Sequence, residues 1–266
     1  LRDAIYSSWT KDIQEKGYLD WLVYAECRAD NAYGGNPGTG ELMAIEANKQ
    51  DGENKNVVRD WDWYQGQVSN CNNIICNIDR IKEADPTMTD KEYREWKSEA
   101  YCWRAWNLFQ MSYLWGDIPL VNTIPPAITA ENIEEVYDEY FPGRTAIADI
   151  YAQIISELEY ACENAPDTDP ANKHLFTKAF AHGMLARIYA EATARDWNKV
   201  AQHCAAVEGM GYKLVDDYAQ MWAYDEADAV RNTSESIFEI TWSKSNGNCV
   251  WKLYHRKAYN PDDSYS

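Results

Sequence analysis

Few of the residues able to carry chemistry are spaced for it. The histidines, His174, His182, His203 and His255, stand far apart in the chain. At such separations each reads as an ordinary surface or helix residue rather than a ligand. The cysteines are Cys27, Cys71, Cys76, Cys102, Cys162, Cys204 and Cys249, with no C-x-x-C pair. Cys71 and Cys76 lie near one another, but no second Cys or His pair completes a zinc site. Most of these thiols fall among apolar residues in helical stretches, where a free cysteine acts as a small hydrophobe. Asp167, Asp169 and Asn172 sketch a calcium loop, but the glycine and the closing glutamate such a loop needs are absent, so a solvated turn is expected. The chain lacks a Walker loop, a G-x-G-x-x-G, a G-x-S-x-G elbow and an H-E-x-x-H. A carboxylate pair for glycoside hydrolysis is defined by a separation of ~5–10 Å in space, and the sequence singles out no such pair. The expectation is no catalytic residue, no metal and no cofactor.

The aromatic residues are the richer resource. Trp 12, Tyr 19 and Phe 5 make 14% of the 266 residues, and Trp and Tyr dominate. These rings combine an apolar face with a polar handle and suit half-wet places, binding surfaces among them. About two thirds of them are expected to pack between helices. Asp and Glu number 43 against 25 Lys and Arg, a net charge of −18. Such a surface repels phosphates and anionic headgroups, which argues against nucleic-acid binding and polybasic membrane docking. No apolar stretch approaches the ~20 residues of a spanning helix.

Helices must position whatever site exists, because the apolar period is close to 3.6 almost throughout. A first helix is expected over about 3–28, with a break available at Gly17. A long irregular loop over 29–58 follows, rich in Asn, Gly, Pro and Asp. A second helix is expected over about 60–83. Thr89 with Glu92 makes a capping box for a third, which ends near Leu114 before Gly116 and Pro119, with Trp96, Ala100, Trp103 and Leu114 on its inner side. A fourth spans about 145–164. Residues 177–194 and 196–208 form a helix pair that resembles one tetratricopeptide (TPR) repeat. Tyr212–Val215 and Ile237–Trp242 read as short strands, and 243–266 is an irregular tail. The chain opens on Leu1 inside a helical pattern and reads as a piece of a longer protein.

The stretch Glu99–Val121 is the most informative. It reads Glu99-Ala100, three residues, Arg104-Ala105, then Gly116-Asp117-Ile118-Pro119-Leu120-Val121. Taken alone, Arg104 is expected to form an internal ion pair with a carboxylate of a neighbouring helix. The segment resembles the E-A-x-x-x-R-A … G-D-x-P-L-V hallmark of the SusD/RagB family, surface glycan- and nutrient-binding lipoproteins of Bacteroidetes. Trp63, Tyr64, Asn72 and Asn73 look like the family's preceding helix. Arg144 through Tyr151, Ile154, Leu158 and Ala161 resembles the following one. Thr177-Lys178-Ala179 with Ala186, Arg187 and Tyr189, and then Tyr212, Leu214, Tyr218, Glu235, Ile237 and Phe238, follow in the family's order. The resemblance covers about Arg28 to Trp242.

It implies a mainly α fold: a TPR-like scaffold with long loops and a few short strands, one SusD-like domain over 1–266 truncated at both ends. It also implies a non-enzymatic protein on the outer face of the outer membrane. There it would be held by a lipid anchor outside the given sequence and paired with a SusC-like TonB-dependent transporter. The ligand would be an oligo- or polysaccharide, or a peptide in some members. Ligand contacts are expected from the loops 29–58 and 243–266, through Arg28, Asp30, Asn31, Tyr33, Trp251, Tyr254 and Tyr259. A helical-barrel glycosidase and a plain TPR scaffold are the competing classes.

Overall fold

The computed structural model describes residues 2–7, 12–29, 31–32, 40–222 and 231–240. In chain order the helices are α1 (Arg2–Ser7), α2 (Asp20–Leu22), α3 (Gly40–Glu46), α4 (Lys55–Ile75), α5 (Ile78–Ala84), α6 (Asp90–Trp115), α7 (Tyr137–Tyr140), α8 (Ile147–Asn164), α9 (Lys178–Ala190) and α10 (Trp197–Gly209). Wide-turn π-type stretches flank α2 at Ile13–Leu19 and Val23–Cys27, and a 3₁₀ turn covers Tyr218–Trp222. The chain divides into two compact units, one of residues 1–5 and 66–240, the other of 6–65 and 241–266.

The larger unit is organised around α6. The expected capping box is present: Thr89 Oγ1 accepts from the Glu92 amide, and the Glu92 carboxylate accepts from the Thr89 amide at 2.8 Å. The helix stops at Gly116, whose φ of +72° a side chain would resist. From Ser98 to Ser112 almost every residue is buried, whichever way it points. A helix covered on all sides is a central one, which explains why no single apolar stripe marks it. Trp96 and Leu114, expected on the inner side, are only half-buried, because they flank that covered stretch.

Helices α8, α9 and α10 pack in succession beside it. Ile150, Ile154, Leu158 and Ala161 recur at helical spacing on α8 and are fully buried. Each such Ile or Leu contributes about 1.5–3 kcal/mol by leaving water. Thr177 caps α9, and Asp196 caps α10 by accepting from the amides of Asn198 and Lys199. The two helices lie side by side across a six-residue connection, 191–196, so they run antiparallel as the TPR-like reading requires.

The two expected strands are a correction. No strand ladder forms at 212–215 or 237–240 among the described residues, and Thr241 and Trp242, the end of the second expected strand, lie outside them. Each segment instead makes single backbone bonds: Lys213 N–H to Ser234 O at 3.1 Å and Glu239 N–H to Lys173 O at 2.8 Å. Side chains fix the second segment. The Phe238 ring stacks on Phe176 at 5.1 Å and meets Phe180 edge-on at 5.2 Å. The expected second helix is also divided, at Cys76 and Asn77, into α4 and α5.

In the smaller unit the loop over 29–58 is less irregular than its composition suggested, since it holds α3 and the start of α4. A Schellman motif ends α3: Lys49 N–H bonds Ala44 O, Asn48 N–H bonds Ile45 O, and Asn48 takes a φ of +54°. Asn54 then caps α4 through its Oδ1, while its Nδ2 donates to Glu41 O at 3.0 Å.

Candidate functional site

Three constellations hold the polar chemistry of the described residues. The first contains the residues of the Glu99–Val121 motif, and it is internal. Arg104 donates from Nη2 and Nε to the two carboxylate oxygens of Glu157 on α8, at 2.5 and 3.3 Å, and from Nη1 to Asn72 Oδ1 on α4 at 2.7 Å. Asn72 Nδ2 donates onward to Val121 O at 2.8 Å, at the end of the Gly-Asp-Ile-Pro-Leu-Val run. Glu157 also accepts from Gln153, whose amide exchanges two bonds with that of Asn122. Burial pushes the Glu157 carboxyl above its ordinary range even though Arg104 pulls the other way. Glu99, wholly buried, receives both guanidinium bonds of Arg2, at 2.6 and 2.7 Å.

Asp117 Oδ1 accepts the Ile147 amide at 2.9 Å, tying the motif to the first turn of α8, and Thr145 N–H bonds Ile118 O beside it. The hallmark polar side chains Glu99, Arg104 and Asp117 are thus all occupied in joining segments of the scaffold. Arg104 forms the internal ion pair its sequence position suggested.

The second constellation lies in the smaller unit, where the ligand loop was expected. An open depression of about 350 Å³ is lined by Glu41, Lys49, Gln50, Asp51, Glu53 and Asn54, with Gly40 and Ala44 at its apolar edge. Lys49, Asp51 and Glu53 are exposed, and Gln50 Oε1 is shielded from water with no hydrogen-bond partner. Arg28, exposed, donates from Nε to Asn48 Oδ1 at 2.7 Å, so it stands next to the Lys49 wall. Asn31, also exposed, donates to Glu26 at 3.0 Å. Of the expected ligand residues, Asp30, Tyr33, Trp251, Tyr254 and Tyr259 lie outside the described residues.

Sequence reading placed the loop but did not single out Lys49, Gln50, Asp51 or Glu53, although the polar run Asn48–Asn54 between two helical patterns marks them. In the same unit Asp60 is fully buried and accepts from Tyr24 Oη at 2.6 Å and from Arg59 Nε at 2.9 Å, while Arg59 also pairs with Asp20. Burial raises the Asp60 carboxyl despite both donors, and the knot fastens α4 to the preceding turns.

The third was not foreseen. His182 and His203, read as isolated, face each other Nδ1 to Nδ1 at 2.9 Å, and Cys162 completes a cluster whose ligand atoms all lie within 4.8 Å of one another. Twenty and more residues separate these positions in the chain, so spacing carried no sign of it. The Asp167–Asn172 turn is the solvated one expected, with Asp169 accepting from the Ala171 amide and from Asn172 Nδ2.

Among the described residues no helix is long and apolar enough to cross a membrane. The connection before α8 nevertheless exposes Ile124, Ile128, Ile133, Tyr137 and Phe141, and the last two rings lie 4.9 Å apart.

Comparison with known proteins agrees with the motif reading. A SusD-like protein of Formosa agariphila is 26% identical over 220 residues, covering 81% of this chain and 40% of that protein. A SusD-like carbohydrate binding protein from Bacteroides vulgatus superimposes with a TM-score of 0.67 at 18% identity, covering 95% of this chain and 52% of that one. A laminarin binding SusD-like protein gives a TM-score of 0.64 at 18% identity, covering 83% and 48%. The chain therefore spans about half, or less, of the length of the proteins it matches. A SusD-like family model, described as "Starch-binding associating with outer membrane", matches residues 16–190. With its motif residues acting as the joints of the helical scaffold and the family pattern running through most of the chain, this protein belongs to the SusD-like family.

Proposed function

We infer that this chain belongs to a non-catalytic protein that captures an oligo- or polysaccharide at the outer face of the outer membrane. The observation that carries the reading is the family match over residues 16–190, which encloses the polar depression beside Arg28. Sugar hydroxyls both donate and accept. Lys49 supplies donors, and Asp51 and Glu53 supply acceptors. The described lining lacks rings, so the aromatic faces for sugar C–H surfaces are assigned to Tyr33, Trp251, Tyr254 and Tyr259. Two or three such rings, at ~0.5–1.5 kcal/mol each beyond area burial, give weak and releasable binding.

Releasable binding suits transfer to a second protein, and a SusC-like TonB-dependent transporter is the partner proposed. The surface offered to it carries the exposed apolar side chains Ile124, Ile128, Ile133, Tyr137 and Phe141, of which the last two touch. Anchoring is assigned to a lipid outside the given sequence.

Calorimetric titration with laminarin and with starch oligosaccharides tests the reading, using the full-length protein. Saturable binding weakened by Lys49→Ala and Asp51→Ala, with no release of reducing ends on long incubation, is the expected result. Release of reducing ends would return the protein to the glycosidases. Binding of extended peptides but of no glycan would transfer the same site to the peptide-binding members.

A further inference from the structure

The cluster on α8, α9 and α10 has no part in the sugar-binding reading. Cys162 belongs to the last turn of α8, His182 to the second turn of α9 and His203 to the middle of α10. Consecutive helices of the scaffold thus each direct one soft or borderline ligand to a common point. Tetrahedral zinc, at ~2.0–2.3 Å from each N or S ligand, holds those atoms ~3.3–3.6 Å apart. The observed separations, all within 4.8 Å with the imidazole pair at 2.9 Å, bracket that range. Small side-chain rotations bring the three atoms onto one ion.

The burial also suits an ion. Cys162 and His182 are half-buried, so ions have a path to the cluster, while His203 is 7% exposed. His203 Nε2 has no hydrogen-bond partner. Its ring is oriented instead by Tyr189, stacked at 5.8 Å and 7°, and by the contact with His182. Burial, the neighbouring His182 and Lys199 hold His203 below the usual histidine range, and burial does the same for His182. A lowered value favours the neutral ring, which is the ligating form. The thiol of Cys162 opposes this, being pushed up to about 12 by burial and by Glu159 and Glu163.

We propose that Cys162, His182 and His203 form a Zn²⁺ site that clamps α8, α9 and α10 together, with water at the fourth position. One thiolate and two imidazoles suit zinc and its cobalt substitute, whereas magnesium and calcium demand oxygen ligands. On binding, the Cys162 S–H proton passes to solvent. The proton shared by the two Nδ1 atoms is replaced by the ion and reappears on an Nε2, so one proton is released per ion bound.

The test is a Co²⁺ titration of the purified, reduced protein, followed by Zn²⁺ competition. The wild type should bind one Co²⁺ with a thiolate-to-cobalt charge-transfer band that Zn²⁺ abolishes. Cys162→Ser and His182→Gln should each weaken binding by more than the ~10–100-fold that loss of an outer partner costs. Cys204→Ser and Cys76→Ser, which alter exposed thiols, should leave the band unchanged. Should a cluster variant fail to fold, alkylation of the wild type replaces it: Zn²⁺ should slow modification of Cys162 but not of Cys76 or Cys204. No band in the wild type, a band surviving Cys162→Ser, or a band lost with Cys204→Ser would overturn the site and leave the pair as a plain imidazole hydrogen bond.

Discussion

The interior around α6 and the rim over residues 40–54 treat their charged residues in opposite ways. Over residues 66–240, Glu99, Arg104 and Glu157 are drawn inside and matched atom by atom, each carboxylate taking two guanidinium bonds. Over residues 40–54, Lys49, Asp51 and Glu53 are exposed around a depression and make only local turn bonds among the described residues. On the proposed reading, the residues that make the family recognisable and those offered to a ligand are therefore different residues. A buried ion pair tolerates little change, because either partner alone is an uncompensated charge in a poor solvent. A solvated rim can be rewritten for each ligand at small cost to folding.

This contrast can be broken most forcefully at Arg104. Arg104→Met strands Glu157 and Asn72 in the interior and should cost about 3–5 kcal/mol in urea unfolding. Adding Glu157→Leu should recover much of that loss, because an apolar pair needs no partner. Phe238→Ala should cost about 2 kcal/mol, less than the ~3–5 of a fully enclosed ring, because Phe238 is only half-buried against Phe176 and Phe180. Thr89→Ala removes the α6 cap and should cost about 1 kcal/mol.

The smallest effect concerns pH. The Thr89 amide and hydroxyl hold the Glu92 carboxyl below its ordinary value. A carboxyl lowered by folding stabilises above its unfolded pKa and ceases to do so as pH falls through the folded one. The stability difference between wild type and Glu92→Gln should therefore be present at neutral pH and vanish in acid, as thermal melts across that range would show.

The legible part of the fold was the part set by local rules. Thr89 with Glu92, Gly116, and the stripe Ile150–Ile154–Leu158 each announce a boundary or a face within a few residues, and the helices lie where those signals put them. Arg104 was legible because a cation amid Ala and Trp must find a buried carboxylate. The strands expected at 212–215 and 237–242 were misread over their described residues, since alternation is compatible with an extended segment and does not show whether a neighbour pairs with it. Phe238 found rings rather than a ladder.

In the candidate site, Arg28 and the 29–58 region were visible as composition, but α3 and the Lys49–Asn54 wall were not separated from the loop around them. The Cys162–His182–His203 cluster was invisible for another reason: three helices bring it together, and each contributes a single residue.

On the proposed reading, ligand is held by the displayed charges and not by the buried ones. The most direct measurement is a glycan affinity titration of three folded proteins: wild type, Lys49→Ala/Asp51→Ala, and Arg104→Met/Glu157→Leu. The surface variant should melt like the wild type but bind at least about tenfold more weakly, the equivalent of roughly 1.4 kcal/mol. The scaffold variant should keep wild-type affinity while its melting temperature changes. Undiminished affinity in the surface variant, together with lost affinity in a well-folded scaffold variant, would contradict it.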